Sequence, residues 1–523
     1  MKKYILGIAM LPLLASCVED KNTYDYRTIN EVSVNKMDSV YKVLAHIDHL
    51  QISPTVEGTL YGDNLDNYTY KWHVCTGALA DNAHQHTVIS HDKDLDWQVD
   101  LDPGDYTVYF TVREKDTGIE SSVSTHLAVS GSFGKGFLLL GDVGGTERLG
   151  LDMLTMAPNR DTIMVEEAFD NSRLNLSHAK KLYYSGNYFD EPARALYMMT
   201  EDDSYLLTSG ANDRLFEAVC TFDERGIFDC EYNISKPLHL VDAFPHGGNF
   251  TSPNLSRNAR IYVTDDVVFG GARGYEGGEY YAAPFNRYYE GGPLFRFYPV
   301  IFYSPNRMSM YTPVCFMYDL DNECFVRFAA QSGTAATPYS TEALTISGTW
   351  PFNFKLAGYK FICGVTGHDE IGFTNIIAID NHGDYVVLRM LVPDTAAANC
   401  TNKEEYVIDR SIATDFDKAS IYAFSDSRTS VLYAVGNTLY HYDYSRKIID
   451  KKTFDSEIVY LKPEFQSKKV LGEIIVATWD DTAKGMVYKF SLDTNPGSAA
   501  IIDRDNESWH TRLRIKDISW FIN

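Results

Sequence analysis

The sequence predicts an all-β chain of two domains, a small sandwich followed by a larger domain of repeated sheets. Three observations predict it. Val, Ile, Thr and Tyr recur in short runs, and 36 tyrosines stand against 6 tryptophans, a composition that favours strands over helices. Residues 30–130 carry seven candidate strands at the spacing of a sandwich. Beyond residue 136, apolar clusters begin near 137, 195, 261, 314, 374, 421 and 474, so that successive starts lie 47 to 66 residues apart. A period of that length, with several short strands per unit, predicts a β-propeller-like domain of about seven blades over 137–523. A string of further sandwiches is the competing architecture. At 523 residues the chain is also too long for one ordinary core.

The first element in chain order is a targeting signal. Met1-Lys2-Lys3 precedes an apolar run from Tyr4 to Ala15, followed by Ser16-Cys17. A basic start, a short apolar region and small residues before a break are the parts of a secretory signal. The run is shorter than the roughly 20 apolar residues of a membrane span. Leu14-Ala15-Ser16-Cys17 matches the bacterial lipobox. A thiol is needed there because diacylglycerol is attached to it as a thioether before cleavage leaves the cysteine as residue one. Residues 1–16 are therefore expected to be a lipoprotein signal peptide, Cys17 the lipidated residue, and 17–29 a polar tether. Acyl chains contribute about 0.8 kcal/mol per buried CH₂, so two or three of them anchor a protein durably. That anchor is the only membrane contact expected. The early Glu19-Asp20 resembles the acidic signal that sends Bacteroidetes lipoproteins to the outer face of the outer membrane.

Within 30–130 the candidate strands are Val40–Ala45, 52–56, Tyr68–Val74, Thr87–Ile89, Asp96–Leu101, Tyr106–Arg113 and Ser121–Val129. Alternation is clearest in Tyr106–Val112, which follows the turn Asp102-Pro103-Gly104-Asp105. Trp72 sits where an immunoglobulin-like sandwich places the core tryptophan of its third strand. Tyr70-Lys71-Trp72 and the later Pro103-Gly104-Asp105-Tyr106-Thr107-Val108 together resemble the PKD-type fold. The departure is His73-Val74-Cys75-Thr76, where a PKD repeat continues Asp-Phe-Gly-Asp-Gly. The domain is thus PKD-like, with Trp72 and Tyr106 as core residues.

Ser130 to Gly136, with three glycines among small residues, reads as the domain boundary, and 131–136 as a mobile linker. The cleanest unit beyond it is Val431–Tyr444, two strands about a Gly436-Asn437 turn. Asp319/Asp321 and Asp503/Asp505 fall beside presumed turns. They lack the glycine and distal glutamate of a calcium loop.

The lipobox, the PKD-like domain, Gly134-Lys135-Gly136-Phe137-Leu138-Leu139-Leu140 and Met317–Phe325 together resemble the PKD-like family lipoproteins of Bacteroidetes. Genes of that group commonly lie beside SusC/SusD-type outer-membrane nutrient transporters. The resemblance implies a location at the outer membrane, facing the cell exterior, and SusC/SusD-type transporter components as partners. It implies no catalytic residue.

Composition and motifs narrow the rest. A formal charge of −24, or −26 once Lys2 and Lys3 leave with the signal, repels nucleic acid and anionic head groups. Seven cysteines remain besides Cys17, an odd number, so one at least is unpaired. Cys220 and Cys230 flank a presumed turn at 223–226 and are placed to meet across a hairpin. No Cys/His spacing of a zinc site appears, so neither metal nor cofactor is expected. There is no Gly-x-Ser-x-Gly, His-Glu-x-x-His or phosphate-binding loop, so no catalytic residue is assigned and the chain is read as a non-enzyme.

One stretch is unusual. Within 270–298, five tyrosines between 275 and 289 (Tyr275, Tyr280, Tyr281, Tyr288, Tyr289) sit among seven glycines from 270 to 292, with Arg273 and Arg287. Glycines work against regular structure, and tyrosines supply contact area at low entropy cost, the composition of an adaptable binding loop. Tyr275, Tyr280, Tyr281, Arg287, Tyr288 and Tyr289 are the binding candidates for glycan, peptide or a protein partner. The competing reading packs these tyrosines on their own scaffold. Adjacent tyrosines split between opposite faces, so at least one of Tyr280/Tyr281 and one of Tyr288/Tyr289 is expected to face solvent. The function expected is a non-catalytic, accessory binding or assembly component of a SusC/SusD-type nutrient uptake system. The alternative is a surface hydrolase acting on glycan or peptide before import.

Overall fold

Trp72 is fully buried, with its ring 4.3 Å from that of Phe110 and its indole N–H donated to Asp92 O at 3.0 Å. These contacts place it at the centre of the smaller of two units in the computed structural model. The structure describes residues 28–522 apart from 77–85, 157–160, 187–194, 211–213, 229–236, 245, 248–258, 276–277, 282–283, 285, 290, 304–313, 330–341, 344–354, 367–372, 392–401, 465, 468–470 and 483. The signal peptide, Cys17, Cys230 and Cys400 lie outside the described residues.

The smaller unit comprises residues up to 42, 49–98 and 105–128. Its main sheet runs Val40–Leu44, Glu120–Ser130, Gly104–Glu114, Tyr68–Thr76, His86–Ser90. Two short ladders complete it, Val32–Asn35 with Thr55–Gly58 and His49–Ile52 with Leu95–Gln98. The expected strand at 52–56 is two strands, because Pro54 cannot donate to a ladder and interrupts the run. Alternation does the sorting: Trp72 and Val74 are buried in the core while Lys71 and His73 point to the other face and stay partly accessible.

The larger unit contains seven sheets among the described residues. Each apolar cluster that marked the sequence repeat falls in a different one: Lys135–Val143, Leu196–Thr200, Ala259–Thr264, Val314–Asp319, Phe373–Ile379, Ile421–Phe424 and Glu473–Asp480. Both faces of these strands are covered, which is why they read as continuous apolar runs. Leu138 and Leu140 pack against Leu182, Leu196 and Met198 of the second sheet. Phe137 and Leu139, pointing the other way, pack against Ile475, Ala477 and Val487 of the seventh. The same division recurs between every consecutive pair of sheets. Seven inter-sheet cores for seven sheets, the last joining seventh to first, make the unit propeller-like. The last strand, Leu513–Ile522, pairs antiparallel with Lys135–Val143 inside the first sheet, so that sheet is built from strands far apart in the chain. At its bulge a Cβ on Gly141 would lie 2.4 Å from Arg514 O, so only glycine fits.

A turn device repeats with the sheets. Asp319, Asp380, Asp443 and Asp480 close strands of sheets four to seven, and each accepts hydrogen bonds through Oδ1 from backbone N–H groups two to four residues on. These are Asx turns, in which the carboxylate stands in for a backbone acceptor.

Three local expectations are corrected. Residues 131–136 are not a free linker: Ser132 and Phe133 are buried, Ser132 Oγ donates to Ala45 O at 2.6 Å, and the strand begins at Lys135. Residues 222–225 form a short helix rather than a hairpin turn, with Glu224 Oε2 accepting from Thr221 N. Asp503 and Asp505 lie inside the strand Ile501–Thr511, where Asp503 pairs with Lys452.

Candidate functional site

The glycine-rich stretch begins as sheet, not loop. Val268–Tyr275 lies between Ala259–Thr264 and Gly278–Tyr281 in the third sheet. Ladder pairing on both sides overrides the low strand propensity of Gly270 and Gly271. Tyr275, Tyr280 and Tyr281 belong to these strands; their side chains lie outside the described residues.

The chain then turns over 286–297, and there the candidates separate. Asn286 is fully buried and ties the turn to its scaffold. Its amide donates to Asp266 O at 3.0 Å and Phe295 O at 2.9 Å, and its carbonyl accepts from Val268 N. Arg287, at 1% exposure, is interior and does not present its guanidinium to a surface ligand. That departs from its expected binding role. Tyr288 is 37% exposed, and its hydroxyl donates to Asp319 Oδ2 at 2.5 Å, while its ring lies 5.3 Å from that of Phe295. Burial, reinforced by the bond to Asp319, raises its phenol well above the usual range, so it stays protonated and donating. Tyr289, at 66%, is the most exposed large apolar side chain of the larger unit among the described residues. Both residues of the 288/289 pair thus reach solvent, Tyr289 with most of its ring. Gly292 N donates to Tyr289 O at 2.9 Å, and a Cβ on Gly292 would press on the Tyr289 carbonyl and ring, so glycine is required to close the turn.

Asp319 joins this turn to the next hairpin. Leu320 N donates to Arg296 O at 2.8 Å, and Arg296 Nε pairs with Asp321 Oδ1 at 2.7 Å. Leu294 and Leu320 are exposed beside these polar groups, as is Asn322. The result is an amphipathic patch on pinned backbone, aromatic at Tyr289 and hydrogen-bonding at Arg296, Asp321 and Asn322. It can stack against a flat apolar face and bond hydroxyls around it.

Two further features carry no sequence motif. A cleft of about 750 Å³ lies within the larger unit, walled by Phe133, Phe169 and Leu215, with Arg173 and the His46–Asp100 pair (2.6 Å) at its polar side. Its residues come from five separated segments, so no local pattern announces it. Buried Asp242 bonds Lys181 and, at 2.9 Å, His246. Burial pushes its carboxyl up, but Lys181 and His246 outweigh that and hold it well below the ordinary range.

No curated protein matches the chain. Among solved structures it is similar to a quinonprotein alcohol dehydrogenase-like protein from Bacteroides thetaiotaomicron, at 13% identity over 94% of this chain and 99% of that one, with a TM-score of 0.32. It is also similar to the WD40 domain of SCAP from fission yeast, at 10% identity over 60% and 62%, TM-score 0.34. A third is the Bacteroides ovatus mixed-linkage glucan utilization locus protein SGBP-B in complex with a mixed-linkage heptasaccharide, at 10% identity over 72% and 91%, TM-score 0.13. Residues 17–171, spanning the smaller unit and the first strands of the larger, match the model of the PKD-like family.

Proposed function

We propose that the protein is a cell-surface lipoprotein, anchored to the outer membrane through Cys17, that binds glycan as a non-catalytic accessory of a SusC/SusD-type uptake system. The observation that carries the reading is Tyr289, an exposed aromatic face on a turn fixed by buried Asn286. An aromatic held in place binds without first losing rotamer and loop freedom. Its neighbours Asn322 and the Arg296–Asp321 pair offer donors and acceptors of the kind sugar hydroxyls use. Among the described residues no helix is long and apolar enough to cross a membrane, and the lipobox supplies an anchor in its place.

The test has two arms. Tagged full-length protein captured from solubilised outer membrane should bring SusC/SusD-type components with it. Neutral oligosaccharides titrated against the chain should bind, and Tyr289→Ala should weaken them about tenfold. Binding of extended peptides but no oligosaccharide would move the ligand class to peptide. Oligosaccharide turnover by the purified chain would replace the accessory role with hydrolysis.

A further inference from the structure

The main sheet of the smaller unit brings His86 beside His73 and Cys75. His73 and Cys75 are two apart on Tyr68–Thr76, so both project from the same face. His86 opens His86–Ser90, whose register sets it directly opposite Cys75. A nitrogen of each histidine and Cys75 Sγ lie within 4.8 Å of one another. Cys75 Sγ is 2.8 Å from His86 Nδ1, and the two imidazole rings are 5.3 Å apart. The face is the one turned away from the Trp72 core, and across the next ladder Tyr109 stacks on the His73 ring at 4.9 Å with 6° between planes.

We propose that His73, Cys75 and His86 form a binding site for a zinc-class ion, a borderline-soft divalent metal held by one thiolate and two imidazoles. The donor set decides the class: sulfur with nitrogen selects zinc and its neighbours over calcium or magnesium, which take oxygen. The spacing fits as well. Bonds of about 2.0 Å to nitrogen and 2.3 Å to sulfur at tetrahedral angles leave ligand atoms roughly 3.5 Å apart, so three donors within 4.8 Å need only a rotamer-scale adjustment. A second observation points to a ligand. His73 Nδ1 is buried with no hydrogen-bond partner among the described residues, an arrangement that costs free energy unless something occupies the lone pair. Cys75 is a free thiol, so its sulfur is available.

Binding is a ligand exchange with simple balance. The ion sheds water, the Cys75 S–H bond breaks with its proton leaving to solvent, and Sγ and two imidazole nitrogens each form one bond to the metal. Three protein ligands leave the fourth tetrahedral position to water. Because His86 lies on the edge strand of the sheet, the ion would staple that strand to its neighbour. The expected consequence is stabilisation of the smaller unit by mass action.

Cobalt(II) reports the site directly, since thiolate ligation produces a sulfur-to-cobalt charge-transfer band in the near ultraviolet. Titrated into the metal-free, reduced full chain, Co²⁺ should develop that band to one equivalent, and Zn²⁺ should bleach it. Cys75→Ser should abolish the band. His86→Ala, at an exposed position that leaves the fold intact, should weaken Zn²⁺ at least tenfold, and Zn²⁺ should raise the melting temperature of the wild-type chain but not of this variant. A chain that shows no charge-transfer band, or a band and a zinc affinity unchanged in both variants, overturns the proposal.

Discussion

Phe137 and Trp520 stand directly opposite one another across a single antiparallel ladder, their rings edge to face with centroids 5.1 Å apart. One lies on Lys135–Val143 and the other on Leu513–Ile522. Their contact holds the first sheet together and, through the shared core with Tyr460 and Val487, joins that sheet to the seventh. Trp520→Ala should cost about 3–5 kcal/mol, the range for truncating a buried aromatic. A denaturant midpoint lowered at unchanged slope would register it. A loss below about 1 kcal/mol would show that closure does not depend on this pair.

Tyr288 and Tyr289 should separate cleanly on substitution. Tyr289→Ala removes an exposed ring, so stability should move within about 0.5 kcal/mol while glycan binding falls by about 1–2 kcal/mol. Tyr288→Phe deletes the hydroxyl bonded to buried Asp319 and should cost about 1–3 kcal/mol of stability. Calorimetric melting beside isothermal titration measures both. Equal effects of the two changes on stability would mean that the turn acts as one packed unit.

His441 sets an acid limit. Its Nδ1 faces Ala499 O at 2.7 Å, and a carbonyl only accepts, so Nδ1 carries the proton and Nε2 accepts from Ser430 Oγ at 2.8 Å. Burial lowers this imidazole, and Arg428 acts the same way, against the Ala499 bond and the charges of Asp443 and Asp450. The folded state therefore resists a proton that the unfolded chain accepts near pH 6.5. The stability that this contributes is complete above that value and is lost progressively as pH falls below it. Melting temperatures from pH 8 to pH 5 should decline, and His441→Gln should flatten that decline.

Asp443 extends the same logic to lower pH. Burial raises its carboxyl, but the Arg446 N–H, the Ser445 hydroxyl and the Arg446 and Arg428 guanidinium groups outweigh that and hold it below the ordinary value. Its contribution is present above about pH 4 and lost as pH falls through its lowered folded value. Asp443→Ala strands Arg428, itself nearly buried and 2.8 Å away, and should cost about 3–5 kcal/mol at neutral pH. A double-mutant cycle with Arg428→Ala isolates the pair. A coupling near zero would assign the loss to the Asx turn alone.

Cys17→Ala should abolish acylation and leave the protein unprocessed or released from the membrane fraction. Labelled fatty acid incorporated by the alanine variant would refute the assignment. At 131–136, Ser132 and Phe133 are buried. A protease should spare this junction in the native state, because cleavage needs a segment to open locally.

Much of the architecture was legible because it rests on local physics. Strands covered on both faces must be apolar throughout, so each of the seven clusters marks one sheet. The two-residue Gly436-Asn437 turn reads correctly because the first position takes a positive φ, 56° here, that glycine adopts without strain. The polar outer strands, such as Lys403–Val407, carry no such run and escape notice. The repeated Asx turns share one aspartate and little around it, which is why the blades look unrelated as sequences.

What the sequence by itself determined was the strand-forming composition, the spacing of the sheets and the PKD-like core about Trp72, all carried by residues close together in the chain. Only the tertiary structure decided which distant residues meet. Pairing Lys135–Val143 with Leu513–Ile522, burying Arg287 while leaving Tyr289 in solvent, and setting His86 opposite Cys75 each depend on ladder register and inter-sheet packing. A shift of one residue in such a ladder turns every side chain to the opposite face. That choice is made by the summed burial of whole sheets, which no short stretch of sequence contains.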